Sequence, residues 1–310
     1  MNSLPPETPL VTVIIATHNN ANTVEYAIKS VLWQTLGDFE LWVIGNHCTD
    51  HTEKIVQSHM KDPRVHWYNL ASHHLHPSKL YNEGLKRAKG EYIAYLEEAD
   101  IWLPNHLKDH IEHLQSASTD FGFSIMECKF SFTHAEVCIP MLQKPQYVPA
   151  MSTLTHNKSA AERLDYWQET HSRYLDYRVA FLKEARKRHM SIEVVPSLTV
   201  LKFQWSEENY HDIGPQPLFM EKIIEEPDFL HKEMSALIYH AYSNLNRYPN
   251  FKSIKAQNRN SIADLLQWGS NTLLPLLRRM FNAINILRKK IKRAYKNILH
   301  KARSKYSISK

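Results

Sequence analysis

Two hydrophobic periods alternate along the first hundred residues. Leu10-Val-Thr-Val-Ile-Ile-Ala16 is a continuous apolar run rich in β-branched residues, the pattern of a strand buried on both faces. Thr17-His-Asn-Asn20 ends it with turn-forming residues. Val24, Ala27, Ile28, Val31 and Leu32 then fall on one side of a helix, with Asn22 as N-cap and Glu25 in capping-box spacing. Phe39-Glu-Leu-Trp-Val-Ile44 predicts a second strand, and Asp50 with Glu53 opens a helix to about Met60. Arg64-Val-His-Trp-Tyr68 predicts a third strand. A helix near 79–89 ends at Gly90 as its C′ residue, and Glu91-Tyr-Ile-Ala-Tyr-Leu96 follows as a fourth strand. Strands alternating with helices in this way make βαβ units and a parallel sheet. Ligands of such sheets bind beyond the carboxyl ends of the strands, which selects the loops 17–20, 45–50 and 97–100.

The last hundred residues read as helical: 221–248, 251–268, and a segment from Thr272 onward. In that segment Leu276, Leu277, Met280, Phe281, Ile284, Leu287, Ile291 and Ile298 recur at helical spacing among Lys and Arg. Charge sharpens the division. The 310 residues sum to +6, yet 278–310 hold 12 Lys/Arg and no Asp or Glu, while 1–277 hold 26 basic against 32 acidic residues, a net of −6. A basic amphipathic helix is the signature of an anchor on anionic lipid; the same helix also reads as packing its apolar face on the rest of the chain. The acidic body and the lack of a recognition motif argue against nucleic acid as the tail's partner. Three Cys (Cys48, Cys128, Cys138) are odd in number and sparse, which argues against a disulfide framework. The first residues show no signal-peptide pattern, and no run approaches the length of a spanning helix. The expected location is cytoplasmic, with the tail placing the protein peripherally on the inner membrane face.

The loops that topology selects also carry a resemblance. Val11-Thr-Val-Ile-Ile-Ala-Thr-His-Asn19, Ser30-Val-Leu-Trp-Gln-Thr35, Phe39-Glu-Leu-Trp-Val-Ile44, Cys48-Thr-Asp50, Asp62-Pro-Arg-Val65, Asn82-Glu-Gly84, Ala88-Lys-Gly-Glu-Tyr-Ile-Ala94 and Asp100-Ile-Trp-Leu-Pro104 stand in one order. That order resembles the opening of family 2 glycosyltransferases, and the likeness fades after about residue 115. It implies a GT-A fold: a Rossmann-like three-layer α/β/α arrangement with a mainly parallel central sheet over 1–215. Residues 1–115 would form the nucleotide-sugar half and 116–215 the acceptor half, with a helical extension 216–310 ending in the basic tail 272–310. The resemblance implies inverting transfer of a sugar from a nucleotide-sugar donor to a hydroxyl of a cell-surface polysaccharide or lipid-linked glycan. It also implies a divalent cation, Mg²⁺ or Mn²⁺.

By that resemblance Thr17, His18, Asn19, Asn46 and Asn82 face the donor, Asp100 and Glu98 hold the metal, and Asp176 is the general base. Two positions depart from the family pattern. Asn46 stands where Asp is usual; its amide can still reach a uracil or ribose edge, without charge. In Leu96-Glu-Glu-Ala-Asp100, Ala99 replaces one of a pair of Asp. Glu97 and Glu98 can compensate by length, although neighbours on an extended chain point opposite ways, and both also read as solvated surface. Asp50 reads as an N-cap before it reads as a ligand. Asp176 is the one carboxylate between Glu169 and Glu184, and its alternative is a helix-surface pair with Arg173 or Arg178. Ser152-Thr-Leu-Thr-His156 and Leu198-Thr-Val-Leu-Lys-Phe203 resemble acceptor-side strands, with Trp205 and Tyr210 as aromatic faces for a sugar ring or as core. His106, His110 and His113 form a stripe beside a helix's buried face, where a zinc reading lacks a Cys partner. His73, His74 and His76 read as polar loop surface, and Cys48 as structural. Two other functions remain open: a nucleotide-sugar-binding relative with little turnover, and a membrane or nucleic-acid adaptor acting through the tail.

Overall fold

The computed structural model describes residues 8–129, 135–138, 140, 142, 149–169, 176–203, 216–226, 228–229 and 233. The expected helices of the C-terminal hundred are met there only through the stretch 216–233. The tail 272–310, Arg173, Trp205 and Tyr210 lie outside the described residues.

Strands β1 (Val11–Thr17), β2 (Phe39–Gly45), β3 (Val65–Asn69) and β4 (Tyr92–Glu97) alternate with helices α1 (Val24–Leu32), α2 (Thr52–His59) and α3 (Pro77–Arg87). The strands pair in parallel in the order β3-β2-β1-β4. The β-branched run of β1 explains its central place: Val11 lies between Phe39 and Tyr92, and residues 11–15 are all buried. Strand alternation divides the core. Val11, Val13 and Ile15 pack with Val24, Ala27, Ile28 and Val31 of α1 on one face, whereas Ile14 packs with Leu80 and Leu85 of α3 on the other. Each such Val or Ile contributes about 1.5–3 kcal/mol by leaving water.

The second half adds β5 (Ile101–Trp102), α4 (His106–Ala117), β6 (Phe121–Lys129), β7 (Ala135–Cys138), a 3-10 turn (Met151–Thr153), β8 (Leu154–Asn157), α5 (Lys158–Arg163), α6 (Tyr177–Lys187), β9 (Ile192–Phe203) and α7 (Gln216–Glu225). The sheet continues β4-β8-β6-β9-β5, with β7 on β6. Here β8 runs antiparallel to β4 and β6, and β5 antiparallel to β9, while β6 and β9 are parallel. Helices α1, α2 and α4 contribute to one core cluster and α3, α5 and α6 to the other, giving the three layers. Phe219, Met220 and Ile223 of α7 close a third cluster with Ile101, Leu201 and Phe203.

Local chemistry moves several boundaries. Helix α1 begins at Val24, with Thr23 in the cap position and no side-chain cap bond; the chain enters through Asn20, whose carbonyl accepts from the Val24 N–H. Helix α3 starts at Pro77, a residue whose fixed φ and missing N–H suit the first helical position. It ends in an extended Ala88, and no glycine among the described residues takes a positive φ, so Gly90 is no left-handed cap. Gly90 instead lets two backbones touch: a Cβ there would stand 2.4 Å from the Thr12 nitrogen.

Candidate functional site

The carboxyl ends of β1, β2 and β4 carry the three loops that topology selects. After Thr17, Asn19 takes a left-handed φ of 49°, which Asn tolerates better than most residues. Its Oδ1 accepts from the backbone N–H of Thr49 at 2.8 Å and of Asp50 at 3.4 Å, tying the first loop to the second. The Asn19 N–H points at Cys48 Sγ, 3.4 Å away, and Cys48 is buried as a structural residue would be. Asp50 accepts from the N–H of Thr52, the first residue of α2, and from the N–H of Ala21.

Asn46 is buried and ties its amide to a third loop through one N–H and its oxygen. Nδ2 donates to the His74 carbonyl and Oδ1 accepts from the His74 N–H, both at 2.8 Å. A carboxylate could not do this, because it has no donor for the carbonyl. The Asn46 carbonyl accepts from His18 Nδ1 at 2.8 Å, which fixes the proton on that ring nitrogen. His18 also meets His73 edge-on, with ring centroids 4.6 Å apart. The loop 73–76 is therefore pinned by the site rather than merely solvated, although His73 is exposed and His74 and His76 are half-buried.

Asn82 makes the same two-way bond elsewhere. It donates to the Trp167 carbonyl at 2.8 Å and accepts from the Trp167 N–H at 3.0 Å. Trp167 Nε1 donates to the Tyr95 hydroxyl at 3.1 Å, and that hydroxyl lies 2.9 Å from His156 Nε2. His156 Nδ1 donates to the Asn157 carbonyl at 2.7 Å, so Nε2 is the acceptor. Burial holds His156 neutral, at about 4.

The loop after β4 turns at Glu98 and Ala99, with the Asp100 N–H bonded back to the Glu97 carbonyl, and sends its carboxylates different ways. Glu98 turns to β1, accepting from the His18 N–H and from Asn20 Nδ2, each at 3.0 Å; burial raises it above the usual range. Glu97 turns the other way and meets Lys202 Nζ at 2.9 Å. Asp100 is only 1% exposed. Its Oδ2 accepts from Ser152 Oγ at 2.5 Å and from Lys202 Nζ at 3.3 Å, and its Oδ1 from the Phe203 N–H at 3.3 Å. Burial, opposed by Lys202, leaves Asp100 at about 6. Burial opposes the charge of Glu97 as well, but Lys202 and Arg178 hold it below the usual range. Asp100 thus lies in the interior of this cluster, whereas Glu98 lies with the first loop.

Asp176 caps α6, accepting from the Arg178 N–H at 2.8 Å, and its two oxygens receive Nε and a terminal nitrogen of the Arg178 guanidinium at 3.0 and 2.7 Å. Burial works against its charge, but these bonds hold it below the usual range. Of the histidine stripe, His106 and His110 lie fully inside and only His113 reaches solvent, 3.0 Å from Glu193. The stripe is thus part of the core face, not beside it. Among the described residues no group of three or more His, Cys, Asp or Glu side chains could hold a metal ion. Lys202, Ser152 and Trp167 are the partners that sequence reading passed over. One signal pointed to Lys202: it is the single charge in Leu198-Thr-Val-Leu-Lys-Phe203.

The profile of glycosyl transferase family 2 matches residues 12–183, more than half of the chain. A putative teichuronic acid biosynthesis glycosyltransferase of Bacillus subtilis, TuaG, is 32% identical over 117 residues, which is 37% of this chain and 46% of that protein. WfaP of Escherichia coli, a UDP-Glc:alpha-D-GlcNAc-diphosphoundecaprenol beta-1,3-glucosyltransferase, is 30% identical over 116 residues, covering 37% and 45%. The chain therefore spans less than half the length of these curated relatives. Among solved structures, Staphylococcus aureus TarS 1–349 in complex with UDP-GlcNAc superposes with a TM-score of 0.55 at 19% identity, covering 69% of this chain and 65% of that one. That likeness is one of fold.

Proposed function

Because the chain belongs to glycosyl transferase family 2, we propose that it moves a sugar, with inversion, from a nucleotide-sugar donor to a hydroxyl of a glycan or lipid-linked acceptor. The observation that carries the reading is the stapling of three loops at one sheet edge, through Asn19, Asn46 and Glu98, inside the span of the family match. The nucleotide lies over the β1 and β2 loops, near Thr17, His18 and Asn19. Asn46 and Asn82 act on the donor indirectly, by fixing the loops around His74 and Trp167. The acceptor oxygen attacks the anomeric carbon from the face opposite the nucleoside diphosphate. The bond from the anomeric carbon to the diphosphate oxygen breaks as the new one forms, the nucleoside diphosphate leaves, and Asp176 takes the hydroxyl proton. The acceptor named for WfaP supports a lipid-linked class. Release of UDP, GDP or dTDP from a panel of nucleotide-sugars tests the reading; binding of none of them would sink it.

A second reading is favoured by the Arg178 fork on Asp176, which lowers the basicity of the proposed base. In that case the chain binds a nucleotide-sugar and turns it over slowly or not at all. Tight binding with no diphosphate release over hours selects it; steady turnover removes it.

For the tail, we infer an anchor on anionic lipid, from 12 basic and no acidic residues in 278–310. No helix among the described residues is long and apolar enough to cross a membrane. Flotation on vesicles with and without anionic lipid, with the chain cut at 277 as control, tests the anchor. Equal flotation of both chains would remove it.

A further inference from the structure

The end of β9 brings a cation to the donor edge. Ile101 pairs with Leu201 in the antiparallel β5–β9 register, so one residue further on Asp100 stands across from Lys202. The Lys202 ammonium lies 2.9 Å from Glu97 Oε2 and 3.3 Å from Asp100 Oδ2, with 16% of its side chain exposed. Burial disfavours that charge, but Asp100 and Glu97 outweigh it and hold the ammonium protonated beyond its usual range.

The same residues decide whether a divalent cation fits. Mg²⁺ and Mn²⁺ take oxygen ligands, one or two of them carboxylates, alongside the substrate phosphates. Here Glu97 and Asp100 already give an oxygen each to an ammonium, and the other Asp100 oxygen accepts from the Phe203 N–H. Asp100 is closed off from solvent. Glu98 is engaged with the opposite loop, and Ala99 brings no side-chain oxygen. The donor set does not fit a divalent ion. A divalent ion on these carboxylates would have to displace the Lys202 ammonium or sit beside it against Coulomb repulsion.

We propose that the Lys202 ammonium takes the place of the divalent cation at the donor diphosphate, so that nucleotide binding and sugar transfer need no metal. This rests on the transferase reading above. In binding, Lys202 offers the diphosphate the N–H that Glu97 and Asp100 do not take, a local donation from a cluster whose two carboxylates offset the ammonium charge. In transfer, it steadies the charge that grows on the leaving diphosphate oxygen while Glu97 and Asp100 hold the side chain in place. Lys202 costs no entropy of ion capture, and its strength is that of one charge instead of two.

Calorimetry on the full chain tests this, titrating UDP, GDP and dTDP in turn with EDTA, Mg²⁺ or Mn²⁺, beside an electron-spin-resonance titration of Mn²⁺. The expected result is a Kd for the preferred nucleotide that agrees within about twofold across the three conditions, with the protein lowering the free-Mn²⁺ signal no further than the same nucleotide does alone. Lys202→Met is expected to weaken binding in EDTA by at least about tenfold, and Lys202→Arg to retain most of it. Tightening of wild-type binding by tenfold or more with metal, or a loss of Mn²⁺ signal beyond that caused by nucleotide alone, overturns the inference and leaves the transferase reading intact. Unchanged affinity in a folded Lys202→Met does the same. If Lys202→Met fails to fold, the wild-type metal comparison decides alone. Failure of all three nucleotides to bind in every condition removes the transferase reading itself, and this inference with it.

Discussion

Acid should destabilise this protein through its buried histidines. His110 is fully buried with its ring centroid 4.3 Å from that of His106, and neither of its nitrogens has a hydrogen-bond partner among the described residues. Burial, helped by His113, takes it down to about 3, and burial takes His156 to about 4; in the unfolded chain both titrate near 6.5. Their folded values are depressed, so the unfolded chain binds the extra protons and stability falls as pH drops through 6.5. At pH 5 protonation favours the unfolded chain by about 2 kcal/mol for each, about 4 kcal/mol together. Asp100 acts in the opposite sense. Its carboxyl is raised to about 6, so the native state takes up its proton first and regains about 1 kcal/mol by pH 5. Glu97 and Asp176, held low, cost stability only as the pH falls below the ordinary carboxylate range. Buried His106, held well below its usual value, adds to the fall, while Glu98 and Asp109, raised by burial, oppose it; the net expectation is a loss of stability between pH 8 and pH 5, of which His110 supplies about 2 kcal/mol. Urea unfolding at pH 8, 7, 6 and 5 measures it, on wild type and on His110→Leu. The leucine keeps the bulk, removes the titration and relieves two unpaired nitrogens. It should flatten the fall by about 2 kcal/mol. A variant with the full wild-type pH dependence would refute the reasoning.

Three more outcomes are expected. Asn46→Asp loses the donor to the His74 carbonyl and sets a carboxylate against it, costing about 1–3 kcal/mol locally; hydrogen exchange over 70–76 should accelerate, and unchanged protection would show that the staple is slack. Asn82→Leu strands the Trp167 N–H and carbonyl and should lower unfolding free energy by about 2 kcal/mol; a loss within the error of urea unfolding would contradict that. Arg178→Gln lets the Asp176 carboxyl rise, so the acid limb of the kcat/KM profile should move to higher pH. A limb that stays put removes Asp176 as the base.

The order of strands and helices was legible because β1 and β2 are uninterrupted apolar runs and α1 has a clean helical face. Boundaries were less so, since a neighbour can take over a cap: Asn20 does it for α1. The polar residues of the site were recognisable by type, but their partners lie far along the chain. Asn46 serves a loop 28 residues on, Asn82 a backbone 85 residues on, and Asp100 a lysine 102 residues on. No local pattern encodes those meetings, so the sequence shows Asn46 as a residue facing a nucleotide but not the part its amide takes in holding the next loop. The histidines of α4 were misplaced for a related reason. His106 and His110 directly precede the apolar residues Leu107 and Ile111, and only the packing shows that the helix buries a stripe broad enough to include them.

The line of hydrogen bonds from Asn82 through Trp167 and Tyr95 to His156 bears on how such a protein can be recombined. It joins a helix of the parallel half to segments beyond residue 150, so the two halves are not interchangeable modules. A chimaera taking its acceptor-side segments from another transferase would inherit this seam. Its new tryptophan and histidine equivalents would have to arrive in register with Asn82 and Tyr95. Without that match, the graft would leave a buried hydroxyl and an amide with nothing to hold.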